Sequence, residues 1–241
     1  MEYIAGSRTP GSVVIPEGTY GWPGIAFGGY VAGLLGARSA GGDQRVDFLR
    51  PTPLGVPLEL SFGEDGGRLA DGQGPLAVSR AAEVEVTVPE PPTWEEALRA
   101  TGEHMTESPL VTSDCFGCGY GRAEGEGLRQ LLGLHPGGGL VAAAWRPAPS
   151  LGDGVLPDEL AWAALDCPAG MARVRLTGAP HAALTASLSA RLVRPIAVGE
   201  RHVVFGWLIS RIGRKTVLGS AVATEHGELC ALAESLWIDA R

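Results

Sequence analysis

Apolar and polar positions alternate most plainly towards the end of the chain. Leu188, Ala190 and Leu192 interleave with Ser187, Ser189 and Arg191, the two-residue period of a strand with one buried face. Comparable runs predict strands near 128–135, 140–146, 185–194, 201–210, 214–224 and 228–238, with Gly213 and Gly227 at the last turns. The stretch Gly154–Ala172, GVLPDELAWAALDCPAGMA, follows a different rule. Pro157, Asp158 and Glu159 suit the first turn of a helix, and Trp162, Ala163, Leu165 and Cys167 make its body apolar on most faces. Such a helix is wrapped by other structure, most simply a sheet. Asp166 interrupts the apolar surface about two turns in, beyond the capping positions. A carboxylate there is paired, protonated or placed at a cavity. Pro168 should kink or end the helix just past it.

The order of elements repeats. Arg50-Pro51 is followed by Gly55 within VDFLRPTPLGVPLELSF, and Arg194-Pro195 by Gly199 within SARLVRPIAVGERHVVFGW. Each reads as strand, Arg-Pro break, turn glycine and strand, with a helical stretch upstream at 28–40 and 158–170. Two copies of one order point to duplication. The boundary falls in PEPPTWEEALRATGEHMTESPLVTSD, 89–114, whose prolines cannot continue a strand and whose acidic part could form one short helix. The expected division is an N-terminal repeat at 1–90, a linker at 91–114 and a C-terminal repeat at 115–241. The first copy is degenerate, because the glycine-rich stretch 64–78 should make its middle strand short or irregular. One apolar helix per set of antiparallel strands implies an α+β fold in which a curled sheet wraps each helix.

Composition narrows the function. The 241 residues are 45% hydrophobic and 19% charged, which suits a buried core and not wholesale disorder. A formal net charge of −8 argues against a nucleic-acid partner, while leaving room for a small anion held by a few arginines. The start MEYIAGSRTPG has no apolar signal core, and no run of about 18 apolar residues predicts a membrane span. Four cysteines without a secretion signal suggest reduced thiols and a cytoplasmic protein with no membrane partner.

FGGYVAGLLG at 27–36 resembles the helix start of the acyl-CoA thioesterase II group of hot-dog proteins. CFGCGYGRAEGEGLRQLLGLHP at 115–136 resembles the CxxCG…GL opening of PaaI-like thioesterases. PDELAWAALD at 157–166 falls where that group carries a His-Gly-Gly…Asp helix; its Asp lands on Asp166, while Pro157, Asp158 and Glu159 replace His-Gly-Gly. The resemblance implies a double hot dog: two antiparallel sheets, each wrapped around a central helix, forming an intramolecular pseudo-dimer. It also implies an acyl thioester as the small-molecule partner, with coenzyme A as part of the substrate, no further cofactor, and a possible homodimer.

Thioester hydrolysis, as the resemblance implies it, needs a carboxylate as base or nucleophile and a helix N-terminal amide for the carbonyl oxygen. Eight residues of helix span roughly 12 Å, so one helix cannot supply both. The first helix opens with Gly28 and Gly29 but has Gly36 at its Asp position, whereas the second has Asp166 behind an acidic start. Only the pairing of Gly28 and Gly29 with Asp166 works, and the pseudo-symmetric site should be dead. The family's water-holding hydroxyl falls on Thr185, against Gly41 in the first copy. Arg50, Arg194, Arg214 and Lys215, with Arg191 and Arg211, are candidates for the phosphates of coenzyme A. Trp22, Trp145 and Trp162 are candidates for an acyl pocket, although core packing explains them as well.

Each candidate also has a plainer reading. Asp166 could be a structural carboxylate, Gly28 and Gly29 close-packing glycines, and Thr185 an ordinary strand residue. Cys115 and Cys118 form a lone CxxC, and neither Cys167 and Cys230 nor the histidines supply a second ligand pair, so no metal is expected. The leading function is a thioesterase-like hydrolase. A non-catalytic acyl or aromatic ligand binder is the alternative, marked by the absent His-Gly-Gly. A hot-dog dehydratase or hydratase ranks third, since it needs a histidine beside the carboxylate and His181 is the one nearby in sequence.

Overall fold

The computed structural model describes residues 11–39, 41–107 and 114–239. Most of the stretch read for a signal core, and part of the linker, lie outside them. The first half comprises β1 (Gly11–Val14), β2 (Tyr20–Trp22), β3 (Ile25–Ala26), α1 (Gly28–Gly36), β4 (Gln44–Phe48), β5 (Pro57–Gly63), β6 (Gly66–Asp71) and β7 (Gly74–Ala81). Then follow α2 (Trp94–Glu107), β8 (Gly133–Leu134), β9 (Leu140–Trp145), α3 (Asp158–Ala163) and α4 (Asp166–Thr177). Four long strands end the chain: β10 (Ala183–Leu192), β11 (His202–Ile212), β12 (Lys215–Thr224) and β13 (Leu229–Asp239). No helix among the described residues is long and apolar enough to cross a membrane.

The strands form one 11-stranded sheet in the order β1-β5-β6-β7-β4-β10-β13-β12-β11-β9-β8, besides a β2-β3 hairpin. This corrects the expectation of two separate sheets. Antiparallel pairing of β4 with β10, Val46 opposite Leu188 and Arg45 opposite Ser189, fuses the two sets of strands and removes an exposed edge from each. Outward from that seam, β4-β7-β6-β5 is mirrored by β10-β13-β12-β11. The backbone repeats as well. Leu49 and Arg50 N–H both donate to Leu76 O, as Val193 and Arg194 N–H do to Cys230 O. Gly55 and Gly199, with φ of 68° and 77°, turn the chain at equivalent places.

Two local expectations change, at 128–135 and in the linker, while the short middle strand of the first copy is as expected. The strand expected at 128–135 shrinks to Gly133–Leu134, because Leu128 and Gln130 N–H pair with Phe116 O and Gly117 O of the CxxC loop. The 64–78 stretch yields β6 of 6 residues and the start of β7, against 10 residues in β12. The linker helix α2 has 14 residues and is a packed element. Its Ala97 and Ala100 are buried with Leu140, Ala142, Val203 and Phe205, and a reciprocal Thr93–Glu96 cap starts it.

The expected single helix around Asp166 is two. Pro168 has no N–H for Ala164 O and its ring would crowd that carbonyl, so α3 stops and Pro168 falls in the first turn of α4, where proline is tolerated. The carbonyls released at the break find side chains: Gln130 Nε2 donates to Ala164 O at 3.0 Å and Ser220 Oγ to Leu165 O at 2.7 Å. Asp166 therefore begins a helix instead of lying two turns inside one. α1 packs on α3 through its glycines, since a Cβ on Gly33 would overlap Glu159 O and one on Gly36 the Trp162 ring.

Candidate active site

Asp166 reaches across to the start of α1. Gly29 N–H donates to its Oδ2 at 2.9 Å and Thr185 Oγ1 donates to its Oδ1 at 2.9 Å. The residue is 3% exposed. Burial pushes its pKa up to about 6, opposed by the Thr185 hydroxyl and the Gly29 amide, while the neighbouring Cys115 thiol adds to the rise. Thr185 is aimed by a bulge, where the β10–β13 register slips between Thr185 and Ser187. Gly29 is a steric necessity, and Gly28 is a tight fit. A Cβ on Gly28 would lie 3.0 Å from Asp166 Oδ2, and one on Gly29 would lie 2.7 Å from Ala163 O and 2.9 Å from Asp166 Cβ.

Gly28, Asp166 and Thr185 share the wall of a cavity of about 770 Å³ whose lining is chiefly apolar and includes Trp22, Phe48, Met171 and Trp237. The two halves of the molecule both contribute to it. With Gly29 N–H held by the carboxylate, Gly28 supplies the remaining backbone amide at the α1 start that borders the cavity. A buried carboxylate so placed can take a proton from a water or a ligand.

The equivalent place in the other copy holds no such carboxylate. Gly36 abuts Trp162, and Glu159 is paired with Arg38 at 3.1 Å, both largely buried. An ion pair fills the start of α3.

Seven of the nine candidates for binding coenzyme A or the acyl chain do not line the cavity, among them Arg191, paired with Asp43, and Arg211, paired with Asp239. Arg194 pairs with Glu228 at 2.7 Å, Arg214 donates to Asp239 O at 3.1 Å, and Lys215 opens β12 beside it. Trp162 is core at the α1–α3 contact, because the glycines of α1 draw that ring inwards. Trp145 is also core, its Nε1 donating to Leu128 O. Arg50 does border the cavity, with its guanidinium on Asp71 at 2.6 Å and on Gly74 O at 2.7 Å. Trp22 lines the cavity, as does His181 in the loop before β10.

Sequence reasoning missed Trp237, Phe48 and Met171, which lie on separate elements with no shared periodicity. It also missed that Cys167 joins the CxxC. Cys115, Cys118 and Cys167 are all buried, with sulfurs within 4.8 Å of one another. The readable signal was Cys167 standing next to Asp166.

No protein-family model matches the sequence, and no curated protein matches it significantly. Solved structures do. A tesB protein of Mycobacterium avium subs paratuberculosis is 13% identical with a TM-score of 0.63, over 100% of this chain and 96% of that one. The acyl-CoA thioesterase II TesB2 of Mycobacterium marinum is 16% identical with a TM-score of 0.57, over 98% of this chain and 94% of that one. At such identities the likeness concerns the fold, and on that level it agrees with the resemblance read from the motifs.

Proposed function

From a chain folded like thioesterase II structures along its whole length, we propose an acyl-CoA thioesterase-like hydrolase with Asp166 as general base. The observation that carries this reading is the buried carboxylate held between Gly29 N–H and Thr185 Oγ1 at the wall of an apolar cavity. The acyl chain occupies the cavity, with the thioester carbonyl at the start of α1. Asp166 takes a proton from a water whose oxygen attacks the carbonyl carbon. The negative charge that develops on the carbonyl oxygen is met by the Gly28 N–H at the positive end of the helix. The C–S bond then breaks, and the leaving thiolate takes the proton from Asp166, leaving a free acid and coenzyme A. Thr185 and Gly29 are positioning residues, orienting the carboxylate so that a free lone pair faces the water. A base with a pKa of about 6 is suited to neutral pH.

The test is thiol release from acyl-CoA substrates of graded chain length. Asp166→Asn should lower kcat by about 100-fold or more. Undiminished turnover in that variant would remove Asp166 from the mechanism. Acyl-CoA binding by the wild type without turnover would favour the ligand-binding alternative.

A further inference from the structure

The three thiols beside the cavity are unused by this chemistry. Cys115 and Cys118 lie on the loop after the linker, and Cys167 lies in the first turn of α4. All three are buried, at 5%, 5% and 7% exposure, and all three border the cavity. The Cys115 and Cys167 sulfurs are 3.8 Å apart. That is the edge of a tetrahedron about 3.8 Å across, given a zinc–sulfur bond of about 2.3 Å.

The loop is built to hold this arrangement. Gly117 permits the approach, since a Cβ there would overlap Cys167 Sγ. Gly119 N–H closes the turn on Cys115 O at 2.8 Å, while Phe116 N–H on Tyr20 O and Gln130 N–H on Gly117 O tie it to both halves. Gln130 also clamps the α3–α4 break next to Cys167. The Cys118 and Gly117 backbone N–H groups are directed at the Cys115 sulfur. Amides directed at a sulfur in a CxxC turn favour its thiolate, the form that binds a metal.

We infer that Cys115, Cys118 and Cys167 form a three-thiolate site for a thiophilic ion of the Zn²⁺ type, with its fourth coordination position open to the cavity. Three protein ligands and one exchangeable position distinguish such a site from a closed four-ligand structural one. Binding releases the thiol protons and forms three metal–sulfur bonds, with no change of oxidation state. Soft thiolate donors select Zn²⁺ over Mg²⁺ or Ca²⁺. The inference does not depend on hydrolysis, because its readout is metal content and spectrum.

Purified protein, reduced and then loaded with Zn²⁺, should retain one equivalent through gel filtration. Co²⁺ in its place should give the intense visible bands of tetrahedral coordination and a thiolate-to-metal charge-transfer band, both bleached by added Zn²⁺. Cys115→Ser, Cys118→Ser and Cys167→Ser should each weaken that band and lower retention, whereas Cys230→Ser, at a thiol outside the cluster, should do neither. Failure of the folded wild type to retain Zn²⁺, or weak octahedral Co²⁺ bands, would overturn the site without touching the thioesterase reading. An equal loss in Cys230→Ser would overturn the ligand assignment. The wild-type spectra decide the matter even if a serine variant fails to fold.

Discussion

Asp166 is held in a state that costs stability. Burial pushes a carboxyl whose ordinary value is 3.8 up to about 6. A carboxyl raised on folding is unfavourable once ionised, so stability is lost as pH rises from about 4 through about 6. With chelator present, Asp166→Asn should therefore raise the melting temperature at pH 8, by the equivalent of up to about 3 kcal/mol, while turnover falls by about 100-fold or more. A melting temperature unchanged or lowered at pH 8 would contradict the burial argument. For the wild type the same titration sets kcat: activity should fall as pH drops below about 6 and level off above it, as a pH–rate profile would show. Thr185→Val should lower kcat more than KM, and Thr185→Ser should restore most of the loss, because only the hydroxyl donates to Oδ1.

The helices are positioned by what their neighbours permit. Gly33 touches Glu159 so closely that Gly33→Ala must push α1 off α3, at a cost of about 1–3 kcal/mol. Because Gly29 N–H and Asp166 sit on either side of that contact, denaturant melts and kcat should fall together. The α3–α4 break depends on a polar partner: Gln130→Leu would leave Ala164 O buried without its donor, costing about 1–3 kcal/mol in a denaturant melt. Element types were legible here and their junctions were not. Pro168 announced a break, but whether it ended one helix or began another depended on Gln130 and Ser220 arriving from distant strands and loops.

Across the whole molecule, the seam between β4 and β10 makes the halves one sheet. Val46 and Leu188, opposed in that seam, are both fully buried. The chain should accordingly unfold in a single calorimetric transition, and two resolved transitions would show that the halves are energetically separate. The same seam bears on the proposed site, because the cavity is lined from both sides of it.

The order of elements, their duplication, the bare glycines of one copy and the carboxylate of the other could all be read from residue types and spacing. Period and turn chemistry are local properties, and the sequence states them directly. What only the tertiary structure decided is which distant groups meet: one sheet instead of two, Trp162 drawn into the core, three thiols gathered at one point, and Asp166 on a helix start. Gly29 and Asp166 are 137 residues apart. The resemblance implied that pairing, whereas no local pattern records it, because contact over that distance follows from edge pairing and close packing between elements.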